Sequence, residues 1–168
     1  MIITLIGMPG AGKSSAGKAL ARRLGYCFID TDNLIREQAG TALQKLLDEK
    51  GDLALIDVEE GCVLSLEPED NCVISTGGSV VYSGKAMEFL QARSSIIFLD
   101  VPFGIIRSRL SNLDTRGVVG LKDKGLHQLY KERSRLYAEF ADIRIKVNGK
   151  DKVKDVVEKI VMQLTDKL

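Results

Sequence analysis

The sequence is poor in the residues that build disulfide frameworks and metal sites. Its 168 residues include three cysteines and one histidine. The number of cysteines is odd, and Cys27, Cys62 and Cys72 lack the Cys-x-x-Cys spacing, so we expect neither a disulfide framework nor a zinc site. We expect the protein to be located in a reducing cytoplasm. His127 has no cysteine or histidine at metal-ligand spacing, so we interpret it as a solvated or structural residue.

The sequence also lacks a strong excess of charge and long apolar runs. Its formal net charge is +1, which gives no reason to expect nucleic acid or an anionic membrane surface as a partner. No apolar run is long enough to span a bilayer, and the first residues lack the basic region of a signal peptide. Hydrophobic residues make up 45% of the chain, enough for one domain with a substantial core.

Apolar, β-branched runs alternate with segments of helical spacing along the whole chain. This alternation predicts parallel strands joined by right-handed crossovers, and therefore a three-layer α/β fold with helices on both faces of the sheet. Ligands of such folds bind beyond the carboxyl ends of the strands. The predicted strands are IITLIG, YCFIDTD, NCVIST, SIIFLDV and IRIKV.

The segments between the predicted strands have distinct patterns. NLIREQAG and ALQKLLDEKG predict short helices that end at glycine, and LALIDVEEGCVLSL predicts another helix. Residues 112–124 are polar with little periodicity. Near the carboxyl terminus, six residues form one helical stripe, which we interpret as a helix packed on the sheet and not as a membrane or partner surface. They are Val153, Val156, Val157, Ile160, Val161 and Leu164.

The stretch GMPGAGKS matches the phosphate-loop pattern G-x-x-x-x-G-K-[ST], with Gly7, Gly12, Lys13 and Ser14 in register. A predicted strand precedes it and a helix follows. Glycines let the backbone wrap an anion, and the helix amino terminus adds positive potential. We therefore expect Lys13 to reach the β- and γ-phosphates and Ser14 to hold Mg²⁺. The guanine-selective pattern N-K-x-D is absent, because residues 148–151 read NGKD, so ATP is the expected nucleotide.

Two carboxylates, Asp30 and Asp32, end the second predicted strand. At a spacing of two they would share one face at the carboxyl edge, near Lys13. One carboxylate can hold a metal-bound water while the other orients an attacking hydroxyl and accepts its proton. The alternative is that they cap the following helix.

The order and spacing of several motifs resemble the shikimate kinase family over nearly the whole chain. The motifs are GMPGAGKSSAGKALARRLGYCFIDTDNLI, GTALQKLLDEKGD, STGG and RSRLYAEFAD. The resemblance implies a nucleoside-monophosphate-kinase-like fold with a five-stranded parallel sheet, a lid at about 112–124 and an acceptor-binding region at about 32–62. It implies transfer of the γ-phosphoryl group of ATP to a hydroxyl of shikimate, with Mg²⁺, and a place in aromatic amino acid biosynthesis.

The resemblance also implies individual roles. Asp30 and Ser14 support Mg²⁺, and Asp32 binds the acceptor hydroxyls and acts as base or orienter. Arg133 binds the acceptor carboxylate, and Gly77 and Gly78 bring backbone N–H groups to the acceptor. Lys13, Asp32 and Arg116 are the implied catalytic residues. The implied ATP-binding residues are Gly10, Ala11, Gly12, Lys13, Ser14, Ser15, Arg109 and Arg116, with Arg109 stacked on adenine.

Three departures from the family pattern fall on the acceptor side. Ile56 stands where the family has a carboxylate-binding arginine, although Glu59, which usually steadies that arginine, remains. We expect Ile56 to make part of the pocket apolar. Ser79 replaces the third glycine of the family's glycine run. Gly117 replaces a lid proline, which loosens the lid.

These departures leave other functions open. One is a kinase of this fold with another acceptor, such as a sugar acid or a nucleoside monophosphate. A second, of a different class, is a nucleotide-binding regulatory module without catalysis, and a third is a generic ATPase. The leading expectation is a monomeric kinase acting on a small hydroxylated, anionic acceptor, with no nucleic acid or membrane partner.

Overall fold

A computed structural model describes residues 1–40, 42–68, 70–110 and 118–165 of the chain. Five strands form one sheet in the order β2-β3-β1-β4-β5, and every pairing is parallel. This confirms the predicted α/β fold. The strands are β1 Ile2–Ile6, β2 Cys27–Asp30, β3 Cys72–Ser75, β4 Ser95–Asp100 and β5 Ile143–Lys146.

Seven helices accompany the sheet within the described residues. Helices α1, α2, α3 and α7 follow segments predicted above, and amphipathic helices of this kind repeat apolar residues at helical spacing. They are α1 Lys13–Leu24, α2 Thr31–Ala39, α3 Leu43–Leu64, α4 Gly84–Gln91, α5 Phe103–Arg109, α6 Leu121–Phe140 and α7 Val153–Thr165, with a 3-10 helix at Val80–Tyr82. No helix in the described parts of the chain is long and apolar enough to cross a bilayer.

The core lies on both faces of the sheet. Strands β1 and β4 lie in the middle of the sheet and are almost wholly buried, as expected for parallel strands covered by helices. Helix α7 packs its predicted stripe into this core through Val156, Val157, Ile160 and Leu164. Val153 departs from the prediction, because it is 44% exposed and lines a cavity.

Two helices contain a glycine with a non-helical conformation. In α3, Gly51 has φ 82° and ψ 176°, which divides the helix where the sequence predicted two separate helices. In α6, the same break occurs at Gly125, so a first helical turn covers Leu121 to Lys124. That turn lies in the segment 112–124, whose sequence is polar with little periodicity and gave no sign of it. Residues 112–117 of the predicted lid lie outside the described residues.

Strand β2 is shorter than predicted, and this changes the placement of the two aspartates. β2 ends at Asp30, and α2 begins at Thr31. The carboxylate of Asp30 caps α2 by accepting a hydrogen bond from Asn33 N at 3.2 Å. Asp32 lies in the first turn of α2 and not on the strand. The two carboxylates therefore have different roles, and the capping alternative holds for Asp30.

The expectation that the cysteines form no disulfide is wrong for two of them. Cys27 and Cys72 are joined by a disulfide, with their Cα atoms 4.5 Å apart. The pairing of β2 with β3 places these two residues side by side at the first position of each strand. Because the two cysteines are 45 residues apart in the sequence, their spacing does not predict this contact. Cys62 is a free, buried thiol.

Candidate active site

The glycine-rich loop after β1 has the conformation that a phosphate loop requires. Gly7, Gly10 and Gly12 have φ values of 148°, 80° and 91°, which side chains other than that of glycine rarely adopt. The loop leads directly into α1, whose first residue is Lys13. Its turn and the helix amino terminus together form a cradle for an anion.

Lys13 is buried inside this loop. Its Nζ donates hydrogen bonds to Gly7 O at 2.8 Å and to Met8 O at 3.1 Å. Burial lowers the pKa of Lys13 to about 8, against the opposing attraction of the Asp32 carboxylate. These hydrogen bonds hold the Lys13 side chain in the cradle. A bound phosphate would give its ammonium group a negatively charged partner there.

Two serine hydroxyls lie close together beside the loop, next to a strand end that carries an aspartate. Ser14 Oγ lies 3.5 Å from Ser75 Oγ at the end of β3. Ser75 is in turn the register partner of Asp30 at the end of β2. Hydroxyl and carboxylate oxygens are the ligands that Mg²⁺ prefers, and Mg²⁺ usually keeps several waters and substrate phosphates. The donor set therefore fits a nucleotide-bound Mg²⁺ held by few protein ligands.

Asp32 presents a hydrogen-bond acceptor that no group in the described structure satisfies. Its Oδ1 is fully buried and has no partner. Burial raises the pKa of Asp32, while the Lys13 ammonium opposes the rise. An unpaired buried acceptor is costly, and a bound hydroxyl that donates to Oδ1 would remove that cost.

The loop after β3 brings distant charges together because two of its residues are glycines. A Cβ at Gly77 would collide with Glu59 Oε1 and lie 2.8 Å from Asp32 Oδ1. A Cβ at Gly78 would lie 2.9 Å from Arg133 Nη1. The N–H of Gly77 donates to Thr31 Oγ1 at 3.2 Å. Gly77 thus makes room for carboxylates, and its own N–H already has a partner in the protein.

Ser79 and Glu59 form a buried pair in the same cavity. Ser79 Oγ donates to Glu59 Oε2 at 2.5 Å, and both residues are about 5% exposed or less. Burial raises the pKa of Glu59 to about 7, although the Ser79 hydrogen bond opposes this shift. Although position 56 carries no arginine in this chain, Glu59 therefore has a hydrogen-bond partner in Ser79.

Arg133 is fixed in place by its surroundings. It is 1% exposed, its Nη2 donates to Val119 O at 2.7 Å, and its guanidinium lies 5.1 Å from the ring centre of Tyr82. Tyr82 in turn donates to Glu132 at 2.6 Å. This held guanidinium lines the cavity and is preorganised for a planar anion.

One cavity of about 720 Å³ joins these groups, lined among others by Lys13, Ser14, Asp32, Glu59, Gly78 and Arg133. Arg109 lies at the phosphate-loop end, where its Nη1 donates to Gly10 O at 3.1 Å. The expectation that Ile56 lines the pocket is wrong. Ile56 packs instead against the apolar cluster of Leu47, Leu55 and Val119. Arg116 lies outside the described residues.

Sequence reasoning missed three features of this site. Ser75 was hidden within an apolar strand, although its place at the carboxyl end of β3 was a usable signal. Arg36 lines the cavity because it follows Asp32 by four residues in α2. The Ser79–Glu59 bond had no sequence signal, since it joins a loop to a helix 20 residues away.

Comparison with known proteins agrees with this geometry. A family model described as shikimate kinase matches residues 9–165. A shikimate kinase of Microcystis aeruginosa is 37% identical over 161 residues, which cover 95% of this chain and 84% of that protein. A shikimate kinase of Aquifex aeolicus is 30% identical over 164 residues, covering 98% and 96% respectively.

A solved structure extends the similarity to three dimensions. The shikimate kinase of Acinetobacter baumannii in complex with shikimate superimposes with a TM-score of 0.90 at 29% identity, covering 99% of this chain and 94% of that chain. The chain therefore belongs to the shikimate kinase family, the ATP-dependent phosphotransferases that have an alcohol group as acceptor.

Proposed function

We propose that this chain transfers the γ-phosphoryl group of ATP to a hydroxyl group of shikimate. The observation that carries the proposal is the buried, partnerless Oδ1 of Asp32, which shares one cavity with the phosphate loop. The solved structure of one relative with the same fold contains shikimate. Shikimate is a small molecule that carries hydroxyl groups as well as a carboxylate.

The proposed reaction follows from the positions of these side chains. Asp32 accepts a hydrogen bond from the acceptor hydroxyl and turns its oxygen toward the γ-phosphorus. That oxygen forms the new P–O bond as the bond to the β–γ bridging oxygen breaks and ADP leaves. The hydroxyl proton passes to Asp32. Lys13 and the loop amides bind the phosphate oxygens and stabilise the charge that develops on them.

Other residues have supporting roles in the proposal. Mg²⁺ neutralises charge on the phosphate oxygens when it is bound, and Ser14 and Asp30 would hold it. Gly78 and Arg133 bind the acceptor, Arg109 stacks on adenine, and Arg116 reaches the transferred phosphoryl group. The proposal keeps a lid segment at about 112–124 and an acceptor-binding region at about 32–62.

The test is coupled ADP release with shikimate and a panel of sugar acids and polyols. We expect shikimate to stimulate ADP release most. Asp32→Asn should lower kcat by roughly 10²–10⁴-fold, because a general base is removed, and should leave the Kd for ATP within about twofold. Asp57→Asn, an exposed carboxylate in α3, is the matched control. Equal loss of ATP binding in Asp32→Asn would assign Asp32 to the metal, and no stimulation by any acceptor would favour a regulatory module.

The proposal includes a monomer in the cytoplasm. ATP is the co-substrate, which supports the location, whereas the Cys27–Cys72 disulfide opposes it. Thiol trapping during cell lysis should find both cysteines reduced, and sedimentation should give a mass near 18.4 kDa. An oxidised cysteine pair in freshly trapped protein would contradict the cytoplasmic location. A dimer mass would contradict the monomer.

A further inference from the structure

The acceptor end of the cavity is short of positive charge for an anionic ligand. Three charged side chains meet around the β3 loop there: Asp32, Glu59 and Arg133. Two carboxylates thus face one guanidinium. A carboxylate on the acceptor would add negative charge beside these two carboxyl groups in a site that the protein partly encloses, where charge repulsion is stronger than in water.

Position 56 supplies no cation to correct this shortage. Ile56 packs against Leu47, Leu55 and Val119, away from the residues that line the cavity. Glu59, the carboxylate that such a cation would accompany, is already bonded to Ser79 Oγ. A second cation for an acceptor carboxylate would therefore have to come from another position of the cavity wall.

Arg36 of α2 is at the right place to supply it. The side chain lines the cavity and lies on the same helix face as Asp32, four residues on. Its positive charge is close enough to lower the pKa of Asp32. Residues four apart on a helix are neighbours, with their Cβ atoms about 5–6 Å apart, so one small acceptor can contact both side chains.

The guanidinium of Arg36 has no acidic partner among the described residues. Its Nε donates to Asp32 O at 3.1 Å, and its Nη2 donates to Asn33 Oδ1. Both acceptors belong to the first turn of its own helix, so they hold the guanidinium beside Asp32 while its charge stays uncompensated by an ion pair. The side chain is exposed, and an anion in the cavity can reach it.

We propose that Arg36 binds the carboxylate of the acceptor, in place of the arginine that is missing at position 56. This inference rests on the proposed function. Arg36 and Arg133 then provide the two guanidinium groups, one from α2 and one from α6, and Asp32 remains free to bind the hydroxyl group. Arg36 is thus a specificity-determining residue for acidic acceptors.

The experiment compares Arg36→Ala and Arg36→Lys with Arg22→Ala, an exposed arginine of α1 outside the cavity. The acceptors are shikimate and its neutral carboxamide. A charge-assisted contact is worth about 1.5–3 kcal/mol, so Arg36→Ala should raise the KM for shikimate roughly ten- to hundredfold. The KM for the carboxamide, the KM for ATP and kcat should each change by less than about threefold. Arg36→Lys should give an intermediate KM for shikimate.

The outcomes separate the inference from the proposed function. If the wild-type protein does not turn over shikimate, the proposed function fails. If it does, and Arg36→Ala matches Arg22→Ala, Arg36 does not bind the carboxylate and the function stands. An equal rise in KM for both acceptors would also overturn the inference, because it would indicate a structural effect. Should Arg36→Ala unfold, the ratio of the two KM values in Arg36→Lys decides.

Discussion

At the scale of single residues, the acceptor side is organised around buried carboxylates that need partners. Asp32 Oδ1 has no hydrogen-bond donor among the described residues, whereas Glu59 accepts a hydrogen bond from Ser79. Ser79, which replaces a glycine of the family's glycine run, therefore makes a specific hydrogen bond. It supplies a hydroxyl to the carboxylate that would otherwise face an arginine at position 56.

Replacing Ser79 tests this role. Ser79→Ala removes the donor to Glu59 and leaves a buried carboxyl group short of one hydrogen bond. We expect a loss of about 1–3 kcal/mol in the free energy of unfolding, larger at pH 8 than at pH 5, because the hydrogen bond favours the ionised carboxylate. Urea unfolding at both pH values measures it.

Ser108→Ala is the matched control for Ser79→Ala. Its hydroxyl donates to Ile105 O at 2.8 Å on an exposed turn of α5, where water can replace the bond. We expect a change below about 0.5 kcal/mol there. Equal effects of the two substitutions would show that the Ser79–Glu59 contact has no special importance.

At the scale of elements, the site depends on three strand ends and the helices that follow them. β1 leads into the phosphate loop and α1, and β2 leads into α2 with Asp32 in its first turn. β3 leads into the glycine loop that contacts α3 and α6 through Glu59 and Tyr137. Parallel pairing brings all three ends to one edge, and the glycines allow the close approach.

Gly77→Ala tests the close approach of the β3 loop. Its Cβ would collide with Glu59 and crowd Asp32, so both carboxylates must move. We expect kcat/KM to fall on the order of a hundredfold, as for a displacement of about 1 Å in a catalytic site. Steady-state kinetics measures this loss.

Gly61→Ala in α3 is its control. Nothing lies within 4 Å of its added Cβ, and alanine is the better helix former. Activity should be unchanged, with stability raised by about 0.5–1 kcal/mol. Full activity of Gly77→Ala would show that the loop yields without disturbing the carboxylates.

At the scale of the whole molecule, the site reduces stability in exchange for preorganised charge. Glu59 and Lys13 are both buried, and burial shifts both pKa values toward the neutral form. Such shifts mean that the charged forms are less stable in the folded protein than in the unfolded chain. Substrates that bring opposite charge or hydrogen bonds should therefore stabilise the fold on binding.

The pH dependence of stability tests this cost. The pKa of Glu59 is about 7 in the folded protein against an ordinary 4.5, so between these values the folded state binds more protons. The contribution of Glu59 to the free energy of unfolding should thus fall as pH rises from about 5 to about 8, with a slope of up to about 1.4 kcal/mol per pH unit.

Glu59→Gln should remove that part of the pH profile, whereas Glu37→Gln, an exposed control in α2, should keep it. Thermal and urea unfolding across pH 5 to 8 give the comparison. Parallel profiles for the wild type and Glu59→Gln would mean that Glu59 ionises normally in the folded protein.

The sequence by itself determined the parts of this protein that are local. The phosphate loop is set by the spacing of Gly7, Gly12, Lys13 and Ser14 between a strand and a helix, and the α/β fold follows from the alternation of apolar runs. Helix α7 likewise follows from its stripe. In each case, residues within one or two turns carry the physical cause.

Only the tertiary structure decided the rest. The cavity that Arg36 lines and the Ser79–Glu59 bond depend on which segments meet. The Cys27–Cys72 disulfide depends on strand register across 45 residues. Strand pairing and helix packing bring such residues together through many weak contacts spread over the chain, so no local pattern records their proximity.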